Sequence, residues 1–204
     1  HEDFAKQNNE LLRDSSRLRN SGLIMGALLI VGGIAVYLAL TATWRITLAL
    51  GMVLFGIFCA LIGVLASRQV GSAQKLYDSY PLAPAVVAEV NERDMVLMAL
   101  VNTNVDPQAP PRWGACLRTV TAIPGIKRVV GTKVPVAAVS GQRSSNAKEH
   151  WQQITPMPIA WGTPDAETVA MARKSIPEDQ WQRLERARKR LSDVKATKYD
   201  LLVL

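Results

Sequence analysis

The sequence has few of the residues on which catalysis, redox chemistry and metal binding depend. Its 204 residues include two cysteines and two histidines; His1 is terminal and His150 stands beside Trp151. Zinc sites and haem ligation need paired histidines or cysteines at defined spacing, and no such pair occurs. Cys116 has no neighbouring histidine and lies in a strand-like run, which favours a buried inert thiol over a nucleophile. We therefore predict no metal, no cofactor and no enzymatic activity.

Motifs for phosphate binding and covalent catalysis are missing as well. The sequence contains no glycine-rich phosphate loop, no zincin helix and no nucleophile elbow. Gly125 and Gly131 flank Ile126-Lys127-Arg128, but neither a third glycine nor a helical pattern follows. We interpret this segment as a basic turn.

Charge is absent from two long stretches, residues 20–44 and 46–67. Each stretch reaches the ~20 residues that a helix needs to cross a hydrocarbon core about 30 Å thick. A secretory signal has a shorter apolar region, typically ~7–15 residues, and ends at a cleavage site. Here a second apolar run follows at once. We predict a two-span transmembrane hairpin over residues 21–67, with Trp44 and Arg45 forming its tight turn.

The chain divides into four predicted segments. Residues 1–20 form a pre-membrane interfacial helix, 21–67 the hairpin, 68–84 a linker, and 85–204 a soluble β-rich domain with C-terminal helices. Phe4, Leu11 and Leu18 recur every seven residues, which predicts a helix over residues 3–19 with a narrow apolar stripe. Tyr80-Pro81 and Pro84 are expected to break any helix in the linker.

Small residues recur along one side of each predicted span. Such stripes let helix backbones approach closely in lipid. The two spans can pack on each other through these stripes, or the stripes can form an interface with a partner protein. The candidate residues are Gly22, Gly26 and Gly33 in the first span and Ala49, Gly56, Ala60 and Gly63 in the second.

Basic residues flank the spans unevenly, and this asymmetry predicts the orientation. Only Arg45 lies in the turn, whereas five basic residues lie just outside the spans. The positive-inside rule then places the turn outside the cell and both termini in the cytoplasm. We predict a multi-pass protein of the plasma membrane. The five flanking residues are Arg13, Arg17, Arg19, Arg68 and Lys75.

The soluble part is predicted to be α+β, a small antiparallel β-barrel or sandwich followed by two C-terminal helices. Thr163 is the expected cap of the first helix, over residues 165–174, with Pro164 in its first position. Ser175 and Glu178 form the expected capping box of the second, over 176–196. Residues 199–204 indicate a further strand or a tail. The predicted strands cover residues 84–90, 94–103, 114–123, 133–139 and 153–161.

The second C-terminal helix has an apolar face and a strongly basic face. Trp181, Leu184, Ala187, Leu191 and Val194 form the inward face. The basic face has three interpretations: a solvated surface, contact with anionic membrane lipid, or docking on an acidic partner. Nucleic-acid binding is disfavoured because aromatic stacking platforms are sparse. The candidate basic residues are Arg183, Arg186, Lys189 and Arg190, with Arg188 beside them.

Two runs carry a resemblance to a known family. They are Ile123-Pro-Gly-Ile-Lys-Arg-Val-Val-Gly-Thr-Lys-Val-Pro-Val-Ala-Ala-Val and Pro156-Met-Pro-Ile-Ala-Trp-Gly-Thr-Pro-Asp. The chain resembles a corynebacterial family of two-span membrane proteins of unassigned function. Its members resemble accessory subunits of the actinobacterial cytochrome bc–oxidase supercomplex, which passes electrons from menaquinol to oxygen. The resemblance implies cytochrome bc and oxidase subunits as partners and assigns no functional residues.

Two hypotheses follow for function. The preferred one is a non-catalytic accessory subunit of a larger membrane complex, in contact with other membrane subunits and with lipid. The alternative is a free-standing, membrane-anchored module that binds anionic lipid or a cytoplasmic ligand through its basic face.

Overall fold

The computed structural model describes residues 1–143, 145–146 and 148–204. Contacts divide the chain into two compact units, one comprising His1–Glu10 with Ala73–Leu204, the other Leu11–Ser72. The helices are α1 Glu2–Asn8, α2 Glu10–Ala39, α3 Arg45–Val70, α4 Ala73–Ser79, α5 Ala166–Ser175, α6 Glu178–Ala187 and α7 Leu191–Lys195. The strands are β1 Leu82–Val90, β2 Met95–Asn102, β3 Trp113–Val120, β4 Lys133–Ser140, β5 Ile154–Pro158 and β6 Leu201–Val203.

The helical hairpin, Leu11–Ser72, consists of most of α2 together with α3. Both helices are long and apolar enough to cross a membrane. The connection between them covers residues 40–44, so it is longer than the predicted Trp44-Arg45 turn. Arg45 closes this connection, because its Nη1 donates to the carbonyl oxygen of Leu40 at 2.6 Å. Its guanidinium also lies over the ring of Tyr37, 5.0 Å from the centroid.

The soluble unit is built on a six-stranded antiparallel sheet in the order β5-β4-β1-β2-β3-β6. The sheet curls into a half-barrel, which brings β5 close to β2 and β3 although neither is its hydrogen-bonded neighbour. The predicted α+β class is therefore confirmed. All five predicted strands are present with small shifts of their ends, and the C-terminal residues add β6 at the edge beside β3.

Helix α6 covers one face of the sheet. Alternate residues of β2, at positions 96, 98 and 100, contact the inward side chains of α6 in one apolar cluster. The intervening β2 residues, at 95, 97, 99 and 101, are also buried, because the curled sheet encloses its other face. The predicted inward helix face is correct. Trp181, Leu184, Ala187 and Val194 are buried and Leu191 packs beside them.

The N-terminal segment differs from the single helix predicted over residues 3–19. Helix α1 ends at Asn8, and residues 1–10 belong to the soluble unit. Asn9 is fully buried, and its Nδ2 donates to Tyr77 Oη and to Met157 Sδ, both at 3.2 Å. Tyr77 in turn donates to the carbonyl oxygen of Pro158 at 2.9 Å. Burial raises the pKa of Tyr77 well above its usual value, so the phenol keeps this donor proton.

Two further local predictions are wrong, whereas the predicted helix break in the linker is confirmed. Helix α4 lies in the predicted linker and ends at Ser79, just before Tyr80-Pro81, and Pro84 lies in β1. The cap of α5 is Asp165. Its carboxylate accepts from the hydroxyl of Thr168 and from the backbone N–H groups of Glu167 and Thr168, and these bonds lower its pKa. Ser175 forms no capping box. It is the last residue of α5, and its hydroxyl donates to the carbonyl oxygen of Met171.

The predicted second C-terminal helix is broken into shorter pieces. Helix α6 gives way at Arg188–Arg190 to a turn of 3₁₀ helix before α7 begins. The apolar periodicity continues through this turn, which is why the sequence indicated one helix.

Candidate functional site

Helix α6 positions the basic residues by burying its opposite side. Its apolar side chains lie in the core against the sheet, so positions 183 and 186 project into solvent. Arg190 follows in the 3₁₀ turn, seven residues after Arg183 and therefore on the same side. The apolar period of the helix thus also fixes the direction of its arginines.

The start of β3 supplies the facing wall. The backbone of Arg112 is held by the end of β2, since its N–H donates to Asn102 Oδ1 at 3.2 Å and its carbonyl oxygen accepts from Thr103 Oγ1 at 2.9 Å. Trp113 is fixed by β6, because its carbonyl oxygen accepts from the N–H of Leu204 at 3.0 Å. These contacts bring Arg112 and Trp113 opposite α6.

Together these elements form what we call the arginine cleft. It has a volume of about 510 Å³, within the ~300–1,000 Å³ common for small-molecule sites. Four arginines surround one tryptophan and the C-terminal residue. The lining includes Arg112, Trp113, Arg183, Arg186, Arg190 and Leu204.

The positive charge of the arginine cleft is only partly compensated. Arg190 pairs with Asp193, with Nε 3.2 Å from the carboxylate oxygen. Within the described part of the chain, no carboxylate forms an ion pair with Arg112, Arg183 or Arg186. Three arginines therefore line one cleft without a counter-ion from the described residues, and of these Arg186 donates its Nε–H to the carbonyl oxygen of Gln182 at 3.4 Å. Such a site favours an anion, because planar guanidinium groups bind carboxylate or phosphate in a bidentate manner.

The structure separates the predicted basic residues into two groups. Arg183, Arg186 and Arg190 line the arginine cleft, whereas Lys189 does not. Arg188 forms an ion pair with Glu185 and lies outside the cleft. The sequence reasoning missed Arg112 and Trp113, which lie about seventy positions before α6. To find them, the sequence analysis would have had to predict that the start of β3 lies beside the basic face of α6.

The predicted small-residue stripes lie against each other within the helical hairpin. A Cβ atom at Gly26 would stand 2.6 Å from the carbonyl oxygen of Gly56, closer than real Cβ atoms approach. Gly22 faces Gly63 in the same way. Gly33 lies against Ala49, and Ala60 lies against Gly26. The structure thus favours the first of the two interpretations, packing of the spans on each other.

The described residues offer little for covalent or metal chemistry. Cys116 is fully buried, and burial raises the pKa of its thiol to about 12. A thiol with that pKa is protonated at neutral pH and is a poor nucleophile. No group of three or more His, Cys, Asp or Glu side chains suited to a metal ion occurs in the part of the chain that the structure describes.

Comparison with known proteins gives a family and one solved relative. The family model described as "Protein of unknown function (DUF3239)" matches residues 68–192. A crystal structure of a candidate membrane protein from Corynebacterium diphtheriae is 55% identical, with a TM-score of 0.58. The alignment covers 61% of this chain and 100% of that chain. No curated protein matches. Together with the two candidate spans, the relative supports association with a membrane. Neither match bears on the resemblance to respiratory accessory subunits, which stays a prediction.

Proposed function

Since the chain belongs to the family described as "Protein of unknown function (DUF3239)", we propose its function from the geometry of the arginine cleft. The protein is a non-catalytic, membrane-anchored module that binds an anionic group. The observation that carries this proposal is the convergence of Arg112, Arg183 and Arg186 on one cleft, with no carboxylate partner among the described residues. The anionic group is a carboxylate or a phosphate, which are the groups that paired guanidinium donors fit.

Anion binding is tested on the full chain in detergent, with acetate, phosphate and pyrophosphate as probes. A ligand that binds the folded state raises the melting temperature, and ligand at ~100 times its Kd adds about 2.7 kcal/mol. We expect the rise to increase with the charge of the anion. The double variant Arg183→Gln with Arg186→Gln should abolish it.

The matched control removes two positive charges outside the arginine cleft. Lys189→Gln with Lys127→Gln changes the net charge by the same amount, and both residues are exposed. This variant should keep the response to pyrophosphate. If it loses the response as completely as the arginine variant does, binding follows net charge, and the cleft has no specific role.

We further propose that the helical hairpin makes the protein multi-pass in the plasma membrane, with both termini in the cytoplasm. Residues 1–10 and 73–204 belong to one compact unit, so they lie on the same side of any membrane that the hairpin crosses. The flanking arginines and lysines favour the cytoplasmic side. An impermeant thiol reagent added to intact cells should label Arg45→Cys and spare Gln142→Cys. The reverse pattern would contradict the orientation.

A second candidate function is that of an accessory subunit of a larger membrane complex. The observation that favours it is the outer surface of the helical hairpin, where Phe55, Phe58 and Leu61 are exposed. The resemblance points to the cytochrome bc–oxidase supercomplex. Purification in a mild detergent tests this candidate, because an accessory subunit should migrate with large redox proteins. Migration of the wild-type chain alone would contradict it.

A further inference from the structure

A second cleft in the soluble unit lies apart from the arginine cleft and has a different character. It has a volume of about 580 Å³ and is mostly apolar. Its walls come from the turn at residues 124–126, from β4, and from one side of α5. We call it the apolar cleft. It shares none of its lining residues with the arginine cleft.

Helix α5 shows why this space is open. It has ten residues and a well-formed cap at Asp165, yet none of its residues is buried. Its side toward the cleft carries Val169 and Ala170, and the opposite wall includes Ile126. An amphipathic helix normally buries its apolar side against the core. Here that side faces a cavity.

One end of the apolar cleft is basic. Lys133, Arg173 and Lys174 line this end and also line a neighbouring cavity, so the two spaces meet at these three residues. Lys133 is partly engaged, since its Nζ lies 5.2 Å from the centroid of the Trp181 ring. Glu178 lines the neighbouring cavity but not the apolar cleft. Within the described residues, no carboxylate forms an ion pair with any of the three.

We propose that the apolar cleft binds a single-chain amphiphile with an anionic head group, such as a fatty-acid anion. The acyl chain lies between Ile126 and the Val169–Ala170 side of α5, where it removes apolar surface from water. The head group lies against Lys133, Arg173 and Lys174. Apolar walls with a few placed polar groups are the usual composition of a ligand site. This site is independent of the arginine cleft, so either can fail without the other.

Photolabelling of the full chain in lipid nanodiscs tests the proposal. The probe is a long-chain fatty acid that carries a diazirine in its chain, and mass spectrometry maps the labelled peptides. We expect adducts in the peptides that contain residues 124–126 and 166–170. The same chain with an alcohol head group should label these peptides at least about 25-fold less, because Arg173 and Lys174 near an anionic group contribute roughly fivefold each.

Two variants of α5 form a matched pair. Ala170→Trp fills the apolar cleft without touching the core, and it should abolish the adducts. Met171→Trp adds the same ring at a neighbouring exposed residue that does not line the cleft, and it should leave the adducts unchanged. Arg173→Gln with Lys174→Gln should reduce labelling by the acid about 25-fold, roughly fivefold for each residue, and leave labelling by the alcohol unaltered.

Three outcomes would overturn the proposal. Adducts confined to residues 21–70 would show that the probe only partitions into the bilayer around the hairpin. Equal labelling by the acid and the alcohol would show that the basic end recognises no anionic head group. Equal loss of adducts in Ala170→Trp and Met171→Trp would show that the labelling does not depend on the apolar cleft.

Discussion

Asn9 helps to attach the N-terminal helix α1 to the rest of the soluble unit, and replacing it with alanine should loosen that helix. The amide is fully buried, and it donates to Tyr77 Oη and Met157 Sδ at 3.2 Å each. The substitution removes these two bonds, among the contacts of the amide, and leaves a small void where the amide was. It creates no orphaned phenol, because Tyr77 still donates to the carbonyl oxygen of Pro158.

The magnitude follows from these contacts. A neutral buried hydrogen bond contributes about 0.5–1.5 kcal/mol, and a thioether is a weaker acceptor than oxygen. With the small void added, Asn9→Ala should cost about 1–2 kcal/mol, which corresponds to a fivefold to thirtyfold change in a local opening equilibrium. Amide hydrogen exchange on the full chain in nanodiscs reports this opening for residues 2–9.

A double-mutant cycle isolates the bond to the phenol. Tyr77→Phe removes the hydroxyl from both of its partners, so the double variant should be about 0.5–1.5 kcal/mol less destabilised than the sum of the single variants. Tyr80→Phe is the control, because the described residues supply no hydrogen-bond partner for that hydroxyl. Exact additivity of Asn9→Ala and Tyr77→Phe, or unchanged exchange in Asn9→Ala, would refute this account of the attachment.

Three further predictions concern the core and the helical hairpin. Leu184→Ala should lower the free energy of unfolding of the soluble unit by about 2–5 kcal/mol in denaturant unfolding. Arg186→Ala should change that free energy by less than about 0.5 kcal/mol. Equal effects would contradict the assignment of Leu184 to the buried side of α6 and Arg186 to its exposed side. Gly26→Leu should separate the two helices of the hairpin and reduce disulfide cross-linking between cysteines engineered into them. Gly51→Leu is the control and should not reduce it, because a Cβ atom at Gly51 would have no other atom within 4 Å. Cys116 should resist thiol reagents until the protein unfolds. Its pKa is about 12 when folded and 9.0 in the reference state, so the thiol loses its proton at a lower pH in the unfolded state than in the folded state. The free energy of unfolding should therefore fall as pH rises from about 9 to 12, and Cys116→Ala should reduce that slope.

The elements that sequence predicts well are those whose signal is local. The two long apolar helices, α2 and α3, follow from the absence of charge in residues 20–44 and 46–67, and the strands follow from short valine-rich runs between turn residues. The inward face of α6 follows from its period. In each case the structure is decided by the removal of apolar side chains from water. The pattern of apolar residues that causes it can be read from residues close together in the sequence.

The features that sequence did not predict depend on partners far along the chain. Asn9 pairs with Tyr77 across 68 positions, so an apolar stripe in residues 3–19 could not show that the first helix belongs to the soluble unit. Arg112 joins Arg183 only because β3 lies beside α6. The cap of α5 is Asp165 and not the predicted Thr163, because the carboxylate of Asp165 accepts from two backbone N–H groups at once.

The small residues of the helical hairpin pack the two helices against each other, and this changes where a partner should be sought. Gly26 and Gly56 approach so closely that their faces have no room for a third helix. The remaining hairpin surface is large and apolar, and lipid tails satisfy such side chains as well as a protein does. The two clefts of the soluble unit, by contrast, have distinctive surfaces. The arginine cleft carries positive charge without a counter-ion from the described residues, and the apolar cleft has apolar walls. Recognition of a specific ligand or partner is therefore expected in the soluble unit, with the hairpin serving to hold that unit at the membrane.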